Sequence, residues 1–409
     1  MAKTVAGIVA VFLLATCGWM LLGASVSFRT HDADTTLRRQ VGQLWGTPLN
    51  QVSPTAQVTL KRQVTRKRVL DGGKRTEEVT QECTEVKAVA LVASDVALDL
   101  RLDQRRKGLL WYSTYRVRFT GNYTFQNSNV GPEPVELSFQ FPAANGIYDE
   151  FIFEVDGAPT TVARDGASGV TARVPSGPGR THHLRVGYLS QGLDRFVYSL
   201  GAGIGEVHDF RLVAHTDFDG FDFPDNTMSP TAKATSGQGW ELVWQYRDLI
   251  TGNGIGIETP KMLNPGPMAA RISFFAPVSL GFFFFLVFII ATLKGVRIHP
   301  ANYFFLGAAF FSFHLLMAYL VDHVSMSTAF AIASAVSVFL VLSYMRLVVG
   351  ARFAFVEVAL AQLLYLVGFS WAFFFEGYTG LAVTIGAIVT LFVVMQLTGR
   401  INWTDTASA

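Results

Sequence analysis

Residues 272–293 read ISFFAPVSLGFFFFLVFIIATL, a run without a charged side chain. A helix needs about 20 apolar residues to cross a hydrocarbon core of roughly 30 Å. Similar segments follow at Ala301–Val321, Val324–Met345, Phe353–Phe375 and Tyr378–Leu397. Because the core offers no water to the backbone, each segment has to satisfy its hydrogen bonds internally, as a helix does. The last third of the chain, residues 271–398, therefore predicts five transmembrane helices.

Basic residues occur in alternate links between these segments, and this pattern predicts their orientation. They are Lys294, Arg297, Arg346, Arg352 and Arg400. The links at Asp322–His323 and Glu376–Gly377 carry no lysine or arginine. Since basic residues are retained on the cytoplasmic side, the Lys294, Arg346 and Arg400 ends are predicted to be inside. The tail, residues 399–409, is accordingly predicted to be cytoplasmic.

Thr4–Ser27 is a sixth apolar segment, preceded by Lys3 and followed by Arg29. A cleaved signal peptide and a lipoprotein site at Cys17 are the alternatives. A signal peptide has a shorter apolar run, and here the run continues past the cysteine through Leu22. We therefore expect residues 1–28 to be an uncleaved membrane anchor with its N-terminus inside, which delivers residues 29–270 to the outside.

The composition fits a half-embedded protein and excludes one class of partner. Half of the 409 residues are hydrophobic, 16% are charged and the formal net charge is +2. The region from Phe28 to Arg271 carries 27 basic and 27 acidic residues. A nucleic-acid-binding domain would show a clustered basic excess, so no nucleic-acid partner is expected. The two cysteines, Cys17 and Cys83, are not expected to pair.

Residues 29–270 show the alternation of half-buried strands. One face of the clearest strand carries Tyr115, Val117, Phe119, Tyr123 and Phe125. The same period recurs at 135–141, 151–155, 184–188 and 240–246, with turn signals at Asp156-Gly157 and Asp165-Gly166. Short alternating strands separated by turns predict an antiparallel, sandwich-like all-β domain.

A charged hairpin is predicted near the start of this domain. Gln57–Leu70 and Arg75–Ala90 flank Asp71-Gly72-Gly73-Lys74, a turn signal. The first arm is rich in lysine and arginine, and the second carries Glu77, Glu78, Glu82 and Glu85. Cross-strand ion pairing is favoured over binding of anionic lipid headgroups, because the acids lie where the return strand would place them.

Several motifs resemble those of one family, the CreD-like inner membrane proteins of Gram-negative bacteria. In the membrane part they are RIHPANY at 297–303, Asp322-His323, the link before Tyr378, and LTGRINW at 397–403. In the other part, Arg105–Tyr112 with the strand to Phe125 resembles a strand of the family. Asn402 stands where the family usually has Asp, which makes this chain similar to a distant member.

The resemblance implies a multi-pass protein of the bacterial inner membrane with a periplasmic β-rich domain and a role in envelope integrity or stress tolerance. The resemblance implies no catalytic residues for this chain. Together with the residue patterns, it predicts a polytopic α-helical membrane protein with one N-terminal and five C-terminal spans. Both termini are predicted to be cytoplasmic, and residues 29–270 periplasmic.

Four residues of the membrane part are candidates for function: His314, Glu357, Asp322 and His323. Ionisable groups within spans are expensive in lipid and frequently functional. For Glu357, pairing with Arg346 or Arg352 near the cytoplasmic interface is the favoured alternative. For His314, a helix–helix contact is favoured over a proton relay. Asp322-His323 is the acidic–His pair of the resemblance.

No complete catalytic, cofactor-binding or metal-ligating set is found in the sequence. Gly201–Gly205 lacks the spacing of a phosphate loop. The acids from Asp217 to Asp225 fail the calcium-loop pattern, so an Asx-turn loop is expected. His182-His183, His208 and His215 are scattered, and solvated strand histidines are expected.

The leading hypothesis is a non-enzymatic envelope protein whose partners are the lipid bilayer and other envelope proteins. The alternative is a transporter or flippase subunit that uses His314 and Glu357. Transporters commonly show broken helices and internal repeats, and five C-terminal spans do not divide into equal halves.

Reporter fusions test the predicted topology. Fusions between Phe28 and Pro267 and near Asp322 should report the periplasm, whereas fusions near Gly295, Gly350 and Ser408 should report the cytoplasm, because positive links stay inside. A periplasmic signal at Ser408 would require an even number of C-terminal spans and would contradict this topology.

Overall fold

The computed structural model describes residues 2–399 apart from 71–74, 129–130, 167–168, 202–205, 263 and 376; at 2, 62, 64–70, 75–82, 382 and 397 it describes the backbone. The described residues form two compact units. The first contains the residues before Leu37 and those after Met262, and the second is Leu37–Met262. The predicted boundaries at residues 28, 270 and 398 remain predictions.

Six helices among the described residues are long and apolar enough to cross a membrane. They are α1 (Ala2–Trp45), α2 (Pro265–Leu293), α3 (Pro300–Leu320), α4 (Met326–Val349), α5 (Ala351–Phe374) and α6 (Thr379–Thr398). The number of apolar helices agrees with the one N-terminal and five C-terminal spans predicted from the sequence.

Helix α1 continues well past the predicted anchor. We expected a span at Thr4–Ser27, but the helix is continuous to Trp45. The reason is local: residues 28–45 contain no proline and a single glycine, so nothing ends the helix at the polar boundary. It ends before Gly46, whose φ of +107° a glycine adopts readily.

The helices α2 to α4 begin and end at ordinary capping signals. Pro265 and Pro300 occupy the first turns of α2 and α3, where a missing N–H leaves no bond unmade. Ser325 caps α4 by accepting a hydrogen bond from the Thr328 N–H at 3.3 Å. Gly350, at φ +91°, separates α4 from α5.

Helix α5 is irregular along most of its length. It contains two π-helical segments, Ala354–Val358 and Leu363–Gly368, with the α-helical turn Ala359–Gln362 between them. It ends in the 3-10 turn Ala372–Phe374. Single π turns inside α-helices occur frequently at functional sites, because they shift side chains and free backbone carbonyls.

The second unit consists of β-strands after the end of α1. The strands are β1 (Leu49–Val52), β2 (Thr55–Leu70), β3 (Arg75–Leu102), β4 (Arg105–Lys107), β5 (Leu110–Tyr112), β6 (Thr114–Gln126), β7 (Val135–Gln140), β8 (Asp149–Val155), β9 (Ala158–Pro159), β10 (Ala163–Asp165), β11 (Gly169–Val174), β12 (Thr181–Leu193), β13 (Arg195–Ser199), β14 (Asp209–Thr216), β15 (Ala232–Ser236), β16 (Gly239–Tyr246) and β17 (Ile255–Glu258).

One large sheet contains most of these strands. Its main path is β10-β11-β7-β2-β3-β6-β12-β8-β9, and β14, β16 and β15 branch from β3. Pairing is antiparallel except for β3 with β14 and, in a small sheet β1-β13-β17, β1 with β13. The prediction of a large antiparallel β domain is therefore confirmed, and its sandwich character stays a prediction.

Alternation along the strands builds the core of this domain. Tyr115, Val117, Phe119, Tyr123 and Phe125 of β6 are each at most 1% exposed, as their predicted shared face requires. Arg116 and Arg118 lie on the opposite, exposed face. Phe119 stacks on Tyr188 of β12, with ring centroids 4.9 Å apart. The core of the sheet is thus an aromatic layer shared by neighbouring strands.

The charged hairpin forms by antiparallel pairing of β2 and β3. The register places Lys67 opposite Glu78 and Arg68 opposite Glu77. The predicted turn at Asp71–Lys74 lies outside the described residues. The backbone register is the one that cross-strand ion pairing requires, while headgroup binding stays an alternative.

Replacing Phe119 by Ala should destabilise the β domain by about 3–5 kcal/mol, because a fully buried aromatic ring is lost and a cavity is left. Chemical denaturation of the full chain, followed by the β-sheet circular dichroism signal, measures the change. The matched control is Ile147→Ala, since the Ile147 side chain is 75% exposed and its loss should change stability by less than about 0.5 kcal/mol. Equal effects of both variants would contradict the assigned core.

Candidate functional site

Two sets of hydrogen bonds connect α3 to α6, and both include a side chain of α5. Ser337 of α4 donates to the Ala309 carbonyl of α3 at 2.6 Å, and Gln362 of α5 donates to the Ser337 hydroxyl at 3.2 Å. Tyr365 of α5 and Thr390 of α6 share a hydrogen bond of 2.6 Å. Gln362 is fully buried, and its side-chain carbonyl has no partner among the described residues. Polar contacts between spans fix which helices are neighbours.

Glu357 lies in the first π-helical segment of α5 and pairs with Lys294, which follows α2. The proposed partners were Arg346 and Arg352; the structure instead gives the lysine at the neighbouring helix end. Glu357 is 15% exposed at its side chain and Lys294 is 50% exposed, so the pair lies at the edge of the bundle. An acidic side chain that pairs with a basic residue at a helix end agrees with the alternative in which Glu357 forms an ion pair near the membrane interface.

His314 is buried in the bundle, at 1% exposure. Its Nδ1 lies 3.0 Å from the Phe310 carbonyl of the same helix, so Nδ1 carries the proton in that bond. The imidazole packs edge-to-face on Trp19 of α1, with centroids 5.5 Å apart. His314 therefore makes a contact between helices through its ring, and its hydrogen bond stays within α3.

Asp322 and His323 follow α3 and differ in their contacts. Arg29 of α1 pairs with Asp322 at 3.3 Å, and its guanidinium lies 5.3 Å from the Tyr319 ring centroid. His323 is exposed and bonds through its backbone N–H to the Leu320 carbonyl at 2.9 Å. Asp322 and the Glu357 pair lie at opposite ends of the bundle, because α3 alone rises about 30 Å. The four candidates do not form one site.

In the second unit, hydrogen bonds connect three polar residues that the sequence analysis did not group together. His182 is fully buried, and its Nδ1 lies 3.0 Å from Asp156 Oδ2. Its Nε2 lies 2.9 Å from the Ser176 hydroxyl. The expectation of a solvated strand histidine was wrong for His182, because it shares the face of Leu184, Val186 and Tyr188 in β12. His183 occupies the exposed face, as alternation requires.

Strand pairing and a tight turn place these residues. Strands β8 and β12 pair so that Val155 faces Leu184, which sets Asp156 beside His182 and His183. Asp156 opens the turn to β9 at φ +53°, and its Oδ1 accepts the His183 N–H at 2.8 Å. Ser176 lies in the loop between β11 and β12, ahead of His182 in the chain.

The hydrogen positions in this array follow from donor and acceptor chemistry. An ionised carboxylate only accepts, so the His182 Nδ1 carries a proton toward Asp156. In the neutral form of the ring Nε2 is an acceptor, and the Ser176 hydroxyl then donates to it. The Asn127 side-chain amide donates to the same hydroxyl oxygen at 3.0 Å. The bonds therefore run in one direction, from Asn127 through Ser176 and His182 to Asp156.

Asp156 is held in its charged form. Burial raises the pKa of its carboxyl, but the His183 N–H, the His182 ring and the nearby Arg180 charge outweigh burial, and the pKa lies below its usual range. Arg180 approaches Asp156 Oδ2 to 3.6 Å. A charged Asp156 is the state that orients a neutral imidazole with its free nitrogen toward Ser176.

The other sequence candidates of this unit have contacts of their own. Glu206, His208 and Asp248 bring ligand atoms within 4.8 Å, but all three are exposed, and hydrogen bonding to Asp248 raises the pKa of His208 as in an ion pair. In the acidic loop, Asp217 accepts the Leu102 N–H and Asp219 the indole N–H of Trp240. This agrees with the expected structural loop. Residues 202–205 of the glycine-rich stretch lie outside the described part.

Comparison with solved structures gives weak similarities. A Legionella pneumophila protein described as nutrient-binding is 14% identical, with 48% of this chain and 71% of that chain covered and a TM-score of 0.32. An M1 zinc metallopeptidase of Deinococcus radiodurans is 10% identical, with coverages of 68% and 94% and a TM-score of 0.27. Likenesses at this level carry no argument about fold or function. No curated protein matches the chain.

A family comparison gives a specific result. Residues 238–404 match the family described as inner membrane protein CreD. The matched region includes α2 to α6 and the membrane motifs singled out in the sequence. The resemblance deduced from those motifs is confirmed: residues 238–404 are similar to the CreD family of inner membrane proteins.

Proposed function

We propose that this chain supports cell-envelope integrity or stress tolerance from the inner membrane, through a β domain on the periplasmic side. The observation that carries the proposal is the CreD match across α2 to α6, in a chain with six apolar helices and a large β domain. The lipid bilayer and other envelope proteins are the proposed partners. Sandwich-like stacking of the β domain belongs to the same proposal.

Two ion pairs support the proposed grouping of helix ends. Arg29 and Asp322 were both assigned to the outside from the distribution of basic links, and they pair at 3.3 Å. Lys294 and Glu357 were both assigned to the inside half, and they also pair. Pairing within each group agrees with the predicted grouping of helix ends, and the distribution of basic links assigns the cytoplasmic side.

A transporter or flippase role remains the second candidate, because one observation favours it. Two π-helical segments interrupt α5, and the buried Gln362 lies between them. Broken helices with polar groups near the midplane are typical of transporters. The absence of catalysis stays a prediction; it rested on the lack of a catalytic motif in the sequence.

Deletion of the gene should increase sensitivity to detergent and other envelope stress, and the intact gene on a plasmid should restore tolerance. Survival curves measure the effect. A deletion strain indistinguishable from its parent under every stress would remove the proposal. Flux of lipids or ions into proteoliposomes above that of empty vesicles would instead favour the transporter candidate.

Glu357→Gln keeps the side-chain shape and removes the charge. Because the partner Lys294 is half exposed, the loss of stability should be modest, about 0–1 kcal/mol, with tolerance restored in the deletion strain. Thermal unfolding in detergent and the survival assay measure the two effects. The matched control is Arg346→Gln, which removes an exposed charge at the same predicted side. A well-inserted Glu357→Gln protein that fails in the survival assay would move the transporter candidate ahead.

A further inference from the structure

We propose that Ser176, His182 and Asp156 form a hydrolytic acyl-transfer site in the β domain, with Ser176 as nucleophile and His182 as general base. This inference goes beyond the proposed envelope role. It rests on the two distances of 2.9 Å and 3.0 Å that join serine, histidine and aspartate in that order. Such an array is recognised by geometry and roles, in any chain order.

The hydrogen bonds of the array run in the direction that activation of a nucleophile needs. Ser176 is half-buried and reaches solvent, while His182 is fully buried behind it. Asp156 lies on the far side of the ring and holds the tautomer that leaves Nε2 free to accept the hydroxyl proton.

Asn127 supplies a hydrogen-bond donor beside the reacting oxygen. Its side chain is fully buried, and its amide donates to Ser176 Oγ at 3.0 Å and to the Gly177 carbonyl at 3.3 Å. Both N–H groups of the amide are therefore used, one of them on the reacting oxygen. Asn127 is thus a positioning residue that orients the Ser176 hydroxyl.

The reaction balances with water as the sole co-reactant. Ser176 Oγ bonds to the carbonyl carbon of an ester as its proton passes to His182 Nε2. The bond from carbon to the alcohol oxygen breaks, and His182 returns the proton to the departing alcohol. Water then attacks the acyl-serine, gives a proton to His182 and releases the carboxylic acid, while the proton returns to Ser176 Oγ.

The surroundings of Ser176 indicate the class of ester. Around the nearby Gly177 and Gly179, a methyl group added at Cα would meet nothing within 4 Å, so this side of the loop is open. Arg180 stands at the rim with its side chain 54% exposed. The open approach suits a carboxylic ester that a larger molecule presents from outside.

A fluorophosphonate probe tests the nucleophile directly in the full chain, purified in detergent. The Ser176 oxygen should bond to phosphorus as fluoride leaves, which adds the probe mass to the peptide that contains Ser176. Ser176→Ala should abolish the adduct and the hydrolysis of p-nitrophenyl acetate. The matched control is Ser190→Ala, because the Ser190 hydroxyl in the same domain only bonds the Ile147 carbonyl at 2.9 Å and should leave both signals unchanged.

His182 and Asp156 are tested by the rate of labelling. His182→Gln should lower the rate at least about 100-fold, the range that general-base catalysis contributes. Asp156 is a positioning residue, and Asp156→Asn should lower the labelling rate while the melting temperature changes little, since Asn accepts the left-handed turn. A purely structural Asp156 would show the reverse, a lower melting temperature at an unchanged labelling rate.

The result that overturns the proposal needs only the wild-type protein and the Ser176→Ala variant. If the folded chain, checked by circular dichroism, forms no adduct at Ser176 and hydrolyses p-nitrophenyl acetate no faster than Ser176→Ala, there is no acyl-transfer site. Because this comparison does not depend on the His182 or Asp156 variants, it stands even where one of them fails to fold.

Discussion

A polar atom that is shut away from water costs free energy unless it finds a partner inside the protein, and both units depend on this constraint. In the membrane unit it acts on every span, because hydrocarbon offers no hydrogen bonds at all. Apolar helix faces are largely interchangeable, so a few polar contacts carry the information about neighbours. Hydrogen bonds connect Ala309 of α3 with Ser337 of α4, and Ser337 with Gln362 of α5. Another connects Tyr365 of α5 with Thr390 of α6, so these bonds determine which helices are neighbours.

The same constraint produces the array in the β domain. Once strand alternation turns His182 toward the core, both ring nitrogens need partners. Asp156 and Ser176, from the turn after β8 and the loop before β12, are those partners. A requirement of folding therefore assembles a serine, a histidine and an aspartate in the geometry that acyl-transfer enzymes use.

The sequence predicts the periodic elements of this protein but not the contacts between residues that lie far apart in the chain. The apolar runs of the last third and the faces of β6 follow directly from length and alternation. The π-helical segments of α5 have no residue signature, so the sequence contains no sign of them. Lys294 was missed as the partner of Glu357 because the two residues meet only when α2 and α5 pack together. For His182, a usable signal existed: it has the same parity as Leu184, Val186 and Tyr188, which were already assigned to one face.

The positive φ of Asp156 has a consequence for how this protein diverges. At a φ of +53° the backbone favours glycine, asparagine and aspartate, so most other residues at this position would strain the turn whatever their side-chain chemistry. Asparagine is one nucleotide change away from aspartate and fits the turn equally well, but it carries no charge to orient His182. Relatives that keep this turn are thus expected to carry either aspartate or asparagine at this position. The charge of that residue separates those that can orient His182 from those that cannot.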